Sequence, residues 1–255
     1  MLYLIIHADD FGLSRKVNEG ILEAHLHGIL TSTSIIASGS YFEHAISICE
    51  STPSLDVGVH LTLVEEEPIL GADKIRSLVN EEGKLHSQAL EFTKKYMAGR
   101  ICLQEVKAEL QAQITRVTSS GISISHVDSH QHLHMLPNIL RVTIQLAKEF
   151  GIDAIRIPNE SFHISMLSKW SLFSRALELI ILKCFCRKAE KLPLARTDYF
   201  VGFFYGGKLD KKNLQKLLEH LPINGTCELM CHPGLHDKVL GTGIGDINGQ
   251  RNSGL

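Results

Sequence analysis

Residues 2–10 read LYLIIHADD, a run of aliphatic side chains that stops at two carboxylates. A run of this kind is what a strand buried on both faces requires, and one that ends on polar groups delivers them to an edge of a parallel sheet. The strand is expected over residues 2–8. Working outward, residues 18–27 place Ile21, Leu22 and Leu26 at helical spacing and are followed by Gly28, a usual helix stop. TSTSIIAS at 31–38 reads as a second strand, 41–50 as a helix broken before Pro53, and DVGVHLTLV at 56–64 as a third strand carrying His60 near its end.

The rhythm continues. Residues 65–85, with Pro68, Gly71 and Gly83, form a long loop that in a barrel would lie over one mouth. A helix at 103–119, the strand SHVDSH at 125–130, a helix at 137–150 and the strand DAIRIP at 153–158 follow. A helical stretch over 163–190 is interrupted by Arg175, Glu178 and Lys183, so it is too short to cross a bilayer and reads as a core or surface-docking helix. DYFVGFF at 198–204, a helix at 211–220 and TCELMCHPG at 226–234 complete the series. The expectation is an α/β fold, a seven-stranded, TIM-like (β/α) barrel closed or nearly closed. With no linker or low-complexity segment, residues 1–255 are read as one catalytic domain, and the glycine-rich tail 237–255 as loop or disordered.

Composition narrows the function. Hydrophobic residues at 44% and charged residues at 21% exclude a disordered or fibrous chain. With 26 basic against 28 acidic side chains, no stretch can neutralise a phosphate backbone, so nucleic acid is excluded as a partner. Cys49, Cys102, Cys184, Cys186, Cys227 and Cys231 form no CxxC pair, and the opening residues lack an export signal. A reduced, cytoplasmic protein is expected, with the Cys184/Cys186 and Cys227/Cys231 pairs read as buried apolar thiols and no transmembrane segment. The composition leaves room for a homo-oligomer.

Histidine is the unusual residue, at 14, and four of these fall between 126 and 134. Parallel α/β folds place reactive groups at the carboxyl ends of strands. The polar residues there are Asp9, Asp10, His60, Asp128, His130, His132, His134, Arg156 and His232. In HVDSHQHLH every second residue from His126 to His134 is ionisable, so an extended chain would line them on one face, too many for one metal. Adjacent Asp9 and Asp10 point opposite ways if extended, but a turn can aim one at a metal and the other at substrate. A helix cap or turn in ADDFGLS is the competing reading. One carboxylate and two neutral imidazoles leave room at a cation for water. His60 could equally be a satisfied core histidine, and Arg156 a structural partner for one of the acids.

ADDFGLS, GILTSTS, GVHL, HVDSHQHLHMLPN, RIPNE and ELMCHPG together resemble the YdjC-like family of carbohydrate deacetylases, over residues 3 to about 236. The stretch from RIPNE to DYFVGFFYGG resembles the branch associated with hopanoid biosynthesis, which implies an N-acetylglucosamine-bearing glycolipid. The resemblance implies a barrel of the polysaccharide-deacetylase type with one divalent metal held by Asp10, His60 and His130. It further implies Asp9 as general base and His232 as general acid, with Asp128, His132, His134 and Arg156 in substrate-binding or supporting roles. Magnesium is the family's metal, although two imidazoles suit Zn2+, Mn2+, Co2+ or Fe2+ better. Such proteins continue beyond HPG through an arginine-containing helix where this sequence stops, so a truncated C-terminal end is expected. The implied reaction removes the acetyl group from an N-acetylglucosamine-containing oligosaccharide or glycolipid and releases acetate. Another metal-dependent hydrolase on the same barrel, or a catalytically silent sugar-binding protein, are the alternatives.

Overall fold

A computed structural model describes residues 1–160, 173–188, 193–206 and 209–234. Its centre is one parallel sheet of seven strands in the order β5-β4-β3-β2-β1-β7-β6. The strands are β1 (Leu2–Phe11), β2 (Ser32–Ile35), β3 (Asp56–Leu61), β4 (His126–Ser129), β5 (Ala154–Ile155), β6 (Tyr199–Val201) and β7 (Gly225–Cys231). The helices are α1 (Arg15–Leu26), α2 (Phe42–Ser51), α3 (Ala89–Met97), α4 (Leu103–Thr118), α5 (Pro137–Glu149), α6 (Phe173–Lys188) and α7 (Lys211–Glu219). Parallel neighbours need crossover connections, and most of these helices supply them. β1 is the axis of the ladder, pairing β2 from His7 opposite Ser32 and β7 from Leu2 opposite Gly225 to Ala8 opposite Cys231.

Period-two alternation gives each strand two environments. Ile6, Ala8, Val57, Val59, Val127 and Leu229 join the aliphatic core. The intervening residues His7, Asp9, Ser32, Ser34, His60, Asp128 and Glu228 are also buried, together with Arg156 just past β5. A sheet interior filled by ionisable groups is stable only if they satisfy one another, since an unpaired buried charge costs several kcal/mol or more.

The sheet curls, but a continuous closed ladder is not what joins its two edges. They meet at isolated parallel bridges, Ala154 with Ala195 and Glu160 with Phe200. The buried Glu160 carboxylate fastens this seam by accepting the amides of Gly202 at 3.2 Å and Phe204 at 2.9 Å. With no cation beside it among the described residues, burial pushes its carboxyl up to about 7.

Several expectations need correction. β1 runs on to Phe11 rather than stopping at Ala8, β5 is two residues long, and α3 lies in a stretch for which no element was expected. The single face from His126 to His134 does not exist. The strand stops at Ser129, and His130–Met135 form 3₁₀ turns in which Gln131 and His132 each take φ 53°. The tail 237–255, the expected missing helix there and the start of the 163–190 stretch lie outside the described residues. No helix among the described residues is long and apolar enough to cross a membrane. All six cysteines are free thiols.

Candidate metal and catalytic site

β1 delivers two adjacent acids to the strand-end mouth because the backbone turns over between them. Asp10 takes φ 67°, a left-handed conformation that side chains with a Cβ rarely adopt. The turn is stapled in place: the Gly12 amide donates to Oδ1 of the buried Asn18 at 2.7 Å, and Leu13 donates to the Asp10 carbonyl at 3.1 Å. The helix cap that ADDFGLS could have supplied falls to Ser14, whose hydroxyl accepts from the Val17 amide. Asp9 and Asp10 are therefore free to face inward.

Asp10, His60 and His130 converge. Asp10 Oδ1 lies 3.0 Å from His130 Nδ1 and 3.4 Å from His60 Nε2. One donor atom from each of the three lies within 4.8 Å of the others. His60 Nε2 is buried and makes no hydrogen bond among the described residues. Its other nitrogen, Nδ1, donates to Asp128 Oδ1 at 2.8 Å, so the neutral ring has a fixed tautomer whose Nε2 lone pair is turned toward the cluster. His130 is drawn the other way by acids: burial alone would lower it, but Asp10, then Glu65 at 3.3 Å from Nε2, raise it to about 10. Asp10 is correspondingly lowered, because His130, then His60 and His232, outweigh its burial. An orphaned buried imidazole nitrogen among acids is a site built for positive charge, and these residues fit a divalent cation. Two imidazoles with one carboxylate favour zinc, manganese, cobalt or iron over magnesium, which prefers oxygen.

Beneath this cluster lies a charged layer centred on Arg156. Its guanidinium grips Asp9 with two bonds, Nη1 to Oδ2 at 2.9 Å and Nη2 to Oδ1 at 2.8 Å. It also reaches Asp128 Oδ2 at 2.7 Å and, through Nε, Glu228 Oε1 at 2.6 Å. Burial would raise the Asp9 carboxyl, but Arg156 and then His60 hold it at about 2. Glu228 has the opposite outcome: burial outweighs Arg156 and lifts it to about 7. His7 completes the layer, its Nδ1 3.0 Å from Ser32 Oγ and its Nε2 3.1 Å from Ser34 Oγ. Burial and then Arg156 lower His7 well below its ordinary value, so it is neutral.

The remaining expected residues divide. His232 is partly buried on the turn after β7 and close enough to contribute to the lowering of Asp10. That turn is clamped against α1, because a Cβ on Gly20 would stand 2.5 Å from Gly234 Cα. His134 is not at the cluster. Its Nδ1 lies 2.5 Å from Ser129 Oγ and its Nε2 2.9 Å from the Arg156 carbonyl, and burial lowers it to about 4, so it is a neutral strut. His132 packs against Phe200 and Phe203, with ring centroids 5.8 and 5.3 Å away. It lines an apolar groove of about 280 Å³ together with Leu90, Met135, Ile181 and Phe185, which begins at Gln131 beside the cluster. The sequence reading missed His7, Ser34, Glu65 and Glu228. Only His7 carried a signal, two residues before Asp9 and thus on the same strand face.

Known proteins share this chain's sequence and fold. A carbohydrate deacetylase of Brevibacillus brevis is 31% identical over 240 residues, covering 94% of this chain and 84% of that protein. A chitooligosaccharide deacetylase of Serratia marcescens is 33% identical, covering 93% and 83%. The crystal structure of an Enterococcus faecalis protein named for a suggested role in cellobiose-phosphate cleavage superposes with a TM-score of 0.73 at 30% identity, covering 92% of this chain and 82% of that one. The family model described as YdjC-like protein matches residues 3–252, and the chain belongs to that family.

Proposed function

We propose that this chain, as one catalytic domain, is a divalent-metal-dependent hydrolase that removes the acetyl group from an N-acetylglucosamine-containing oligosaccharide or glycolipid. The observation that carries this reading is the convergence of Asp10, His60 and His130 around the unpartnered His60 Nε2. The relatives named carbohydrate and chitooligosaccharide deacetylases supply the substrate class. Asp10, His60 and His130 would hold the cation, which when bound would supply Lewis-acid polarisation of the acetyl carbonyl.

The chain's own residues do the rest. Asp9 stays ionised in the grip of Arg156 and keeps a further lone pair on each oxygen, so it accepts a proton from the attacking water. His232 hands a proton to the departing sugar nitrogen. Water and amide become acetate and a free amine. Asp128 and Arg156 hold His60 and Asp9 in register. The apolar groove beside the cluster suits the aglycone of a glycolipid, because apolar surface there gains from covering a lipid chain. A cytoplasmic location fits the free thiols.

The test is acetate release from chitobiose-type and N-acetylglucosaminyl-lipid substrates by Co2+- or Zn2+-loaded protein. Acetate from either supports the reading. Bound metal with no acetate from any N-acetylated glycan refutes it in favour of a silent sugar-binding protein, and phosphate release from sugar phosphates instead points to a phosphoesterase. Asp10→Ala abolishes metal uptake while circular dichroism stays native; uptake by that variant would refute the ligand set.

A further inference from the structure

Four non-glycine residues among those described have positive φ, and all four lie at this mouth: Asp10 at 67°, Glu65 at 69°, and Gln131 and His132 at 53°. Each such backbone is strained and persists only where its surroundings impose it. Asp10 carries a ligand, and Gln131 and His132 follow His130 directly. Glu65 belongs to none of the roles above, yet its strained backbone brings Oε2 to 3.3 Å from His130 Nε2.

The frame that holds Glu65 is rigid. Its amide donates to the His86 carbonyl at 2.8 Å, beside the Val64–His86 bridge. The loop on either side is pinned by a stripe of α4. Gln113 brackets Thr62, accepting from its amide at 2.9 Å and donating to its carbonyl at 2.7 Å. Glu109 accepts the amides of Ile69 and Leu70 at 2.8 and 3.0 Å, and Glu105 accepts Ser77 at 2.7 Å. Spaced four apart, these three side chains share one helix face.

The arrangement repeats what Asp128 does for His60. Each ring has an acid on the nitrogen turned away from Asp10: Asp128 on His60 Nδ1 at 2.8 Å, Glu65 on His130 Nε2. We propose that Glu65 is a positioning residue of the metal centre, holding the Nε2 proton of His130 so that Nδ1, the nitrogen beside Asp10, is presented as the donor atom. This rests on the metal-site reading above and extends it to a residue in the loop after β3.

Calorimetric titration with Co2+ tests it on wild type, Glu65→Gln, Glu65→Ala and Glu67→Gln. Glu67 is exposed and pairs with Lys84 at 2.8 Å, so its variant makes the same charge change without touching the site. Loss of an acid that orients a metal-bound imidazole typically weakens binding 10–100-fold. That loss is expected for Glu65→Gln, with at least as much for Glu65→Ala and none for Glu67→Gln. In histidine-selective 15N spectra of the Zn2+-loaded proteins, wild type shows His130 protonated at Nε2 and bare at Nδ1. Glu65→Ala leaves that Nε2 proton without its acceptor, so it exchanges faster with solvent and its resonance shifts, a signature that a merely structural loop residue would not move. Equal affinity and unchanged His130 resonances in wild type and Glu65→Ala overturn the inference alone. A wild-type protein that takes up no Co2+ overturns the metal-site reading and this inference with it.

Discussion

Glu160 offers a quantitative test of how the sheet is closed. Its carboxylate is buried, accepts the Gly202 and Phe204 amides and has no cation beside it among the described residues, so burial raises its carboxyl from 4.5 to about 7. A group protonated more readily in the folded than in the unfolded chain stabilises the fold below its unfolded value, here 4.5, and that stability is lost as pH rises through about 7. At 1.36 kcal/mol per unit, the interval from 4.5 to about 7 corresponds to a loss of about 3 kcal/mol. Glu160→Gln copies the shape of the protonated acid and cannot ionise. Other buried groups give wild type its own pH profile, among them Glu228, also lifted to about 7, so the informative quantity is the difference between the two proteins. Urea unfolding followed by far-ultraviolet circular dichroism, at pH 5 and at pH 8, should show wild type losing about 2–3 kcal/mol relative to Glu160→Gln on going to the higher pH. A difference independent of pH would mean that Glu160 is not the buried, uncompensated acid described above.

Arg156→Lys replaces a fork that reaches three carboxylates with a single nitrogen, and stability should fall by roughly 3–5 kcal/mol, a melting point lower by roughly ten degrees; calorimetry within a degree of wild type would refute it. Asp9→Asn should keep metal uptake but lose about 10²-fold or more in acetate release, because an amide cannot take the proton; a full rate would remove Asp9 from the base role. Gly20→Ala puts a methyl group 2.5 Å from Gly234 Cα and should displace the turn that carries His232, lowering kcat more than metal affinity. Wild-type kcat in that variant would show that the clamp does not position His232. His134→Ala should spare metal uptake, while His130→Ala should abolish it; equal losses in calorimetric titration would place the wrong imidazole at the centre.

The order of strands and helices was legible because buried parallel strands write themselves as aliphatic runs between amphipathic helices, as LYLIIHADD and DVGVHLTLV do. The convergence of Asp10, His60 and His130 was legible only through motifs, since nothing local joins positions so distant in the chain. The reading failed where backbone geometry departs from the regular period. HVDSHQHLH alternates in sequence but folds as a strand followed by 3₁₀ turns, which sends His132 to the groove and His134 to the Arg156 carbonyl. Glu65 sat in a polar loop with other acids beside it, and only its left-handed backbone and its contact with His130 distinguish it. Glu228 and Ser34 looked like ordinary strand residues, because which face of a strand turns inward is decided by the neighbouring strands.

The seam between the sheet edges is the most sparsely paired junction among the described strands. β1 and β7 share an unbroken seven-residue register, whereas the edges touch at two isolated points, so the least costly opening runs between residues 154–160 and 195–204. Deuterium should therefore enter at Ala195, Gly202 and Phe204 well before it reaches the amides of β1. The wall that parts carries Phe200 and Phe203, next to His132, while Asp10 and His60 ride on strands in the middle of the ladder. The thinly joined edge of the sheet thus lies on the groove side, with other strands between it and those that carry Asp10 and His60.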